Sequence, residues 1–289
     1  MKTILLLGVT LIIALTSRLV QKQAIDDKDF KQRYGPWCVI AGGSDGLGEA
    51  YARQFAKRGI NLVLISRTKE KLHNTSQAIS LQYGVEVRAL VGDLFNTRQV
   101  IQDLDDMTRD VEVGSLVYNA AYYSVGSYYN QTTNNIQDSI DICIKTPSLM
   151  VNSFLNSFKK RGSGGIMIVS SILGLFGTKK LPMYAAVKSF QTVLAKSIWD
   201  EAREYGVDVT SPVLGVTSTP ASDKVRSLCS PFSEQTPEDA AYESVAHMYS
   251  RVGPVINAGW YNKVVSSVLH VMPSSISTQF VWPLILGSC

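Results

Sequence analysis

Histidine is scarce in this chain of 289 residues: His73, His247 and His270 are too dispersed for a metal centre or a Ser/His/Asp hydrolase. Cysteine is nearly as rare, and Cys38, Cys143, Cys229 and Cys289 lack the C-x-x-C spacing of zinc and redox sites. They read as reduced thiols in a cytosolic setting, and no metal is expected. An excess of one charge is also missing: 28 basic and 24 acidic residues are spread along the chain, without the clustered cationic face of a nucleic-acid binder. Nucleic acid is therefore not an expected partner. No internal repeat or low-complexity linker divides the chain, and 45% hydrophobic residues can fill the core of one large α/β domain.

The N-terminus differs in kind. Lys2 is followed by an apolar run from Ile4 to Leu15 and then by Thr16-Ser17-Arg18. Its charged start and apolar length suit a signal peptide, but it lacks a small-x-small cleavage site, and cleavage would export the rest. As a membrane helix it reaches roughly 18 residues only if everything from Thr3 to Val20 is counted. Arg18, Lys22, Lys28, Lys31 and Arg33 follow the run, whereas Lys2 alone precedes it. That bias predicts a single-pass anchor over residues 1–20, a linker over 21–33, and a domain over 34–289 on the cytoplasmic face of a membrane. A cleaved, exported form and a helix packed on the protein itself are the alternatives. The N-x-S/T triplets at Asn74 and Asn130 matter only for a lumenal domain.

From Trp37 onward short β-rich apolar runs alternate with longer amphipathic stretches, the pattern of a doubly wound parallel sheet flanked by helices. Strands are expected at Trp37–Ile40, Asn61–Ser66, Val85–Val91, Ser115–Tyr118, Ile166–Ser170, Val207–Ser211 and Val255–Asn257, with helices over Gly48–Arg58 and Lys69–Gln82 and between later strands. The Ser-, Thr- and Pro-containing stretch from Thr217 to Gln235 has no clear period and reads as a lid over a site. A C-terminal extension covers 260–289. Its apolar residues, Trp260 to Met272 and Phe280 to Leu286, could rest on lipid, cover a pocket or contact a second copy of the chain.

Ala41-Gly42-Gly43-Ser44-Asp45-Gly46-Leu47-Gly48 lies between the first expected strand and helix. Glycines at 42, 46 and 48 permit a sharp turn, bring backbone N–H groups close to a pyrophosphate and aim a helix N-terminus at it. The turn resembles the T-G-x-x-x-G-x-G of the short-chain dehydrogenase/reductase family, and the resemblance runs from about Tyr34 to about Gly259. It implies a single Rossmann-like domain and a nicotinamide cofactor, with Gly42, Ser44, Asp45, Gly46, Leu47 and Gly48 around the phosphates. Arg67 closes the second strand where NAD-preferring members tend to carry an acid; an arginine there can pair with a 2′-phosphate, so NADP(H) is expected. By the same resemblance Asp93 meets the adenine amino group and Asn119, in Tyr118-Asn119-Ala120-Ala121, supports sheet and cofactor. Leu214-Gly215-Val216-Thr217-Ser218-Thr219 resembles P-G-x-x-x-T, so Gly215, Thr217 and Thr219 are expected near the nicotinamide.

Tyr184-Ala-Ala-Val-Lys188 matches the family's Y-x-x-x-K, and Ser171 ends the preceding strand. Residues four apart share a helix face, so both side chains can enter one site. A free tyrosine ionises near pH 10, about three units too high for an efficient base, and a neighbouring ammonium would lower it. The resemblance implies that Ser171 holds the substrate oxygen, Tyr184 exchanges the proton and Lys188 also binds the nicotinamide ribose. Some positions depart from the pattern: Ala41, Ala121 and Leu214 replace the usual residues, and Cys143 falls where many members carry an asparagine that holds a relay water. A thiol is a poor substitute. The Tyr34-Gly-Pro-Trp37 turn, the Ser-Asp-Gly core and the apolar N-terminus resemble the membrane-associated branch that includes 3-ketoacyl-CoA reductases and 17β-hydroxysteroid dehydrogenases. Leu173, Leu175 and Phe176 would line an apolar substrate cavity or pack under the lid. The expectation is an oxidoreductase interconverting a ketone and a secondary alcohol on a lipophilic acyl or steroid-like substrate. A cofactor-binding scaffold without useful turnover, and a dehydratase or epimerase on the same fold, are the alternatives.

Overall fold

The computed structural model describes residues 25–220, 222 and 234–281. The apolar segment 1–20, most of the expected lid and the last eight residues lie outside that range. Among the described residues no helix is long and apolar enough to cross a membrane. The elements are α1 Asp27–Tyr34, β1 Trp37–Ala41, α2 Gly46–Ala56, β2 Asn61–Ser66, α3 Lys69–Tyr83, β3 Val87–Val91, α4 Thr97–Met107, β4 Val113–Tyr118, α5 Thr133–Ile140, α6 Thr146–Arg161, β5 Gly164–Ile168, β6 Ser170–Ser171, α7 Pro182–Arg203, β7 Val207–Leu214, α8 Pro237–Ser250, β8 Val255–Asn257, α9 Trp260–His270 and α10 Ser274–Val281. Every strand pairing is parallel. The order β3-β2-β1-β4-β5-β7-β6, with β8 also on β7, reverses direction at β1 and β4. Ligand crevices of doubly wound sheets open at such a reversal.

The central strands are buried on both faces, which is why they read as unbroken apolar runs. Along β1 alternate residues serve opposite layers. Cys38 and Ile40 pack with Tyr51, Phe55, Val245 and Met248 of α2 and α8, while Trp37, Val39 and Ala41 join Val100, Leu104 and Val151 of α4 and α6. A third cluster at the carboxyl edge joins Ile172, Leu173, Leu181, Val213 and Val216 to Val265 and Leu269 of α9. The described start of the C-terminal extension therefore packs beside the carboxyl edge of the sheet. Trp260, Val264 and Val268 remain exposed on α9.

The stretch expected as a linker contains a helix. Asp26 caps α1, accepting from Lys28 N at 2.9 Å and Asp29 N at 3.1 Å. Phe30 and Tyr34, four apart on one face, are fully buried, with their rings 4.6 Å apart and Phe30 5.5 Å from Phe55. Burial of two such side chains stabilises the docked helix by about 1.5–3 kcal/mol each, enough to hold an eight-residue helix that would fray alone. The charges between the aromatics concealed them.

Two further departures shape the site. The strand expected over 166–170 is interrupted at Val169, and β5 and β6 pair separately with β7. Between α5 and α6 the residues Asp141–Lys145 form a π-helical turn.

Candidate active site

β1 delivers the chain to the glycine turn. Gly42 adopts φ +78°, in the left-handed region that penalises a side chain, and its N–H donates to the Ile65 carbonyl at 2.9 Å. Gly48 is required for a different reason: a Cβ there would stand 1.8 Å from the Gly42 carbonyl oxygen. Asn119, just beyond β4, ties the same carbonyl down through Nδ2 at 3.1 Å. The turn is thus clamped from two sides, and α2 begins immediately after it with no side-chain cap on its first N–H groups, Gly46 and Leu47 lining the cleft. These glycine-only positions and free helix donors fit a dinucleotide's phosphates.

The cleft is about 510 Å³ and runs from this cradle to the ends of β6 and β7. Gly42, Ser44, Asp45, Gly46, Leu47, Arg67, Asn119, Ser171, Tyr184, Lys188, Gly215, Thr217 and Thr219 all line it. Gly48 lies one layer behind. Asp93 does not line the cleft, although Gly92 and Leu94 do; its Oδ1 accepts from Phe95 N at 3.2 Å. At the far rim Arg67 is exposed, and Lys71, one turn further on, reaches Asp45 at 2.9 Å. Ser44 and Ser66 hydroxyls meet at 2.7 Å between them. Lys71 and Ser66 escaped the motif reading, though the spacing of four from Arg67 was visible.

At the other end the β6–β7 pairing places Ser171 opposite Leu214. Leu214 fills the position of the family's proline and is buried in the core. The adjoining Gly215 has no room for a side chain, since a Cβ would lie 2.3 Å from the Asn262 amide. The described ends of the stretch expected as a lid are pinned together: Thr217 bridges Gln235, Gln235 N donates to Val216 O at 2.9 Å, and Ser218 N donates to Gln235 O at 3.0 Å.

Helix α7 carries Tyr184 and Lys188, with the ammonium 5.7 Å from the phenol ring centroid. Burial pushes the Tyr184 phenol well above its ordinary value, and the Ser171 hydroxyl offsets only part of that rise. This reverses the direction expected from sequence. The reason is that burial of the phenol outweighs any help from the ammonium, which is turned to other partners: Lys188 Nζ donates to the Val169 carbonyl at 2.7 Å and to Gln191 Oε1 at 2.9 Å. The interruption of the strand at Val169 is what turns that carbonyl toward the lysine. Lys188 is itself brought down to about 8 by burial, opposed by the Cys143 thiol. Cys143 is buried, and burial raises its pKa. Tyr123 meets the Tyr184 ring edge-on at 5.9 Å.

A parallel sheet of this order, a glycine cradle and a Ser, Tyr and Lys converging in one cleft define a class of nucleotide-dependent oxidoreductase folds. The chain belongs to the short chain dehydrogenase family, whose model matches residues 36–229. It is 32% identical over 206 residues to inactive hydroxysteroid dehydrogenase-like protein 1 of Homo sapiens, covering 70% of this chain and 62% of the relative. It is also 32% identical over 209 residues to very-long-chain 3-oxoacyl-CoA reductase of Anas platyrhynchos, covering 71% and 66%. The chain thus spans less than two thirds of those relatives. Among solved structures a 7beta-hydroxysteroid dehydrogenase superposes with a TM-score of 0.78 at 23% identity, covering 86% of this chain and 98% of the other, which establishes likeness of fold.

Proposed function

We propose that residues 34–289 form an NADP(H)-dependent oxidoreductase domain interconverting a ketone and a secondary alcohol on a lipophilic substrate. The observation that carries this reading is the convergence of Ser171, Tyr184 and Lys188 at one end of a cleft whose other end is the glycine cradle. The bound cofactor supplies or accepts the hydride. Gly42 to Gly48 would hold its phosphates and Lys188 its nicotinamide ribose. Arg67 and Lys71, with Ser44 and Ser66 between them, present a cationic rim suited to a 2′-phosphate, and no acidic side chain ends β2 to hold a ribose diol instead.

Tyr184 is the general acid and base. Its phenol carries a proton at neutral pH, the form needed to protonate a carbonyl oxygen, while Ser171 holds that oxygen in place. Ile172, Leu173, Leu181 and Val216 line the same end of the cleft and provide an apolar wall. That chemistry agrees with the name of the 3-oxoacyl-CoA reductase relative and of a 7beta-hydroxysteroid dehydrogenase, which suggest 3-oxoacyl or hydroxysteroid substrates. Residues 1–20 serve in this reading as a membrane anchor, with the domain on the cytoplasmic side.

A second reading, a cofactor-binding scaffold without turnover, is favoured by the human relative's designation as inactive and by Cys143 in place of the asparagine. The two part on one assay. The full-length chain in detergent is given NADPH and a panel of 3-oxoacyl, steroid and simple ketones, and NADPH absorbance is followed. Turnover should fall about 10²–10⁴-fold in Tyr184→Phe while NADPH still binds. Tight NADPH binding without turnover by the wild type across the panel would favour the scaffold.

A further inference from the structure

Gln191 stands three residues beyond Lys188 on α7 and is fully buried. Its amide makes two directed contacts, Oε1 accepting from Lys188 Nζ at 2.9 Å and Nε2 donating to the Cys143 carbonyl at 3.0 Å. The partners fix the amide's orientation, because an ammonium only donates and a carbonyl only accepts. That carbonyl belongs to the π turn Asp141–Lys145, where the widened winding leaves backbone oxygens open to lateral partners; the Tyr118 hydroxyl takes the neighbouring one at Ile142.

We propose that Gln191 is a positioning residue that ties the Lys188 ammonium to the main chain of the π turn. The proposal rests on the oxidoreductase reading of the same site. Of the three ammonium donors, Val169 and Gln191 take two, and the third remains for the cleft that Lys188 lines. The titratable groups facing the ammonium are Tyr184 on its own helix and Cys143 on the π turn. Each carbonyl reduction moves the Tyr184 proton to the substrate oxygen and leaves a phenolate, which a proton from water must restore. An amide passes a hydrogen bond but cannot pass a proton without becoming an imidic acid. Reprotonation therefore comes from the open cleft, not through the π turn.

The test uses the full-length chain with lysine labelled at the ε-carbon, the Lys188 signal being identified by its loss in Lys188→Arg. Gln191→Met keeps the volume but removes the acceptor, and the Lys188 midpoint should fall by about one pH unit. Gln191→Glu places a carboxylate there, and the midpoint should rise by about one unit. With turnover, kcat of Gln191→Met should drop about tenfold while KM stays within about twofold. A Gln191→Met midpoint within about 0.3 unit of wild type overturns the proposal. If Gln191→Met does not fold, the Gln191→Glu midpoint decides alone: a rise supports the tie and no movement overturns it. If the midpoints shift as expected but no ketone is turned over, the oxidoreductase reading fails while the tie between Gln191 and Lys188 stands.

Discussion

A buried ammonium is an expensive residue, and Lys188 is accordingly the most informative one in the chain. It is 2% exposed, has no acidic partner among the described residues, and keeps its charge only with the help of the Val169 carbonyl and the Gln191 amide; burial brings its ionisation to about 8 from the lysine value of 10.5. A folded-state pKa below the unfolded one means that the native state binds fewer protons than the unfolded chain between those two values. Stability attributable to Lys188 therefore rises with pH across that window. Relative to Lys188→Met, wild type should gain about 3 kcal/mol of unfolding free energy between pH 8 and pH 10.5. Denaturant titrations of both proteins over this pH range check it, and a pH-independent difference would show that the lysine is not held in a desolvated state. The Y-x-x-x-K spacing announced Lys188; its partners were not legible. Gln191 was hidden because an amide on a helix carries no motif, and the Val169 carbonyl because nothing in Ile166-Met-Ile-Val-Ser marks where a strand will break.

Elements were legible where their residues face one environment throughout. The strands β1, β2 and β4 are sealed on both sides, and their apolar runs located them to within a few residues. Helix α2 was recognisable because the glycine turn marks its start. Elements that depend on distant partners were not. The π turn breaks no local rule of propensity, and its open carbonyls are taken by Tyr118 and Gln191, which lie far from it in sequence. Helix α1 has two aromatics among six charged and polar residues, and its burial depends on Phe55 and Tyr249 far along the chain. This makes Phe30→Ala decisive: a linker residue would cost under about 0.5 kcal/mol, whereas this buried ring should cost about 3–5 kcal/mol. Urea unfolding measures the loss. NADPH affinity should be unchanged, because Phe30 lies outside the cleft.

At the scale of the whole molecule the cleft is a seam. It touches the turn after β1, the end of β2, the loop after β4 and the ends of β6 and β7, so a bound dinucleotide would bridge segments separated by more than 170 residues of chain. A ligand that binds only the folded state stabilises it by about 2.7 kcal/mol at one hundred times its dissociation constant. For a domain of this size that corresponds to roughly 5–10 °C in Tm. The two forms of the cofactor differ only in the 2′-phosphate, and the charge able to recognise it sits at the rim on Arg67, which has no ion-pair partner among the described residues, and on Lys71, which is shared with Asp45. NADPH should therefore raise Tm by several degrees more than NADH at equal concentration, and Arg67→Glu should erase that difference without lowering the Tm of the free protein. Added salt should narrow the gap as well, because both cations are exposed and screened. Equal shifts from the two cofactors, unaffected by Arg67→Glu, would mean that the rim does not read the phosphate and that the choice of NADP(H) is wrong.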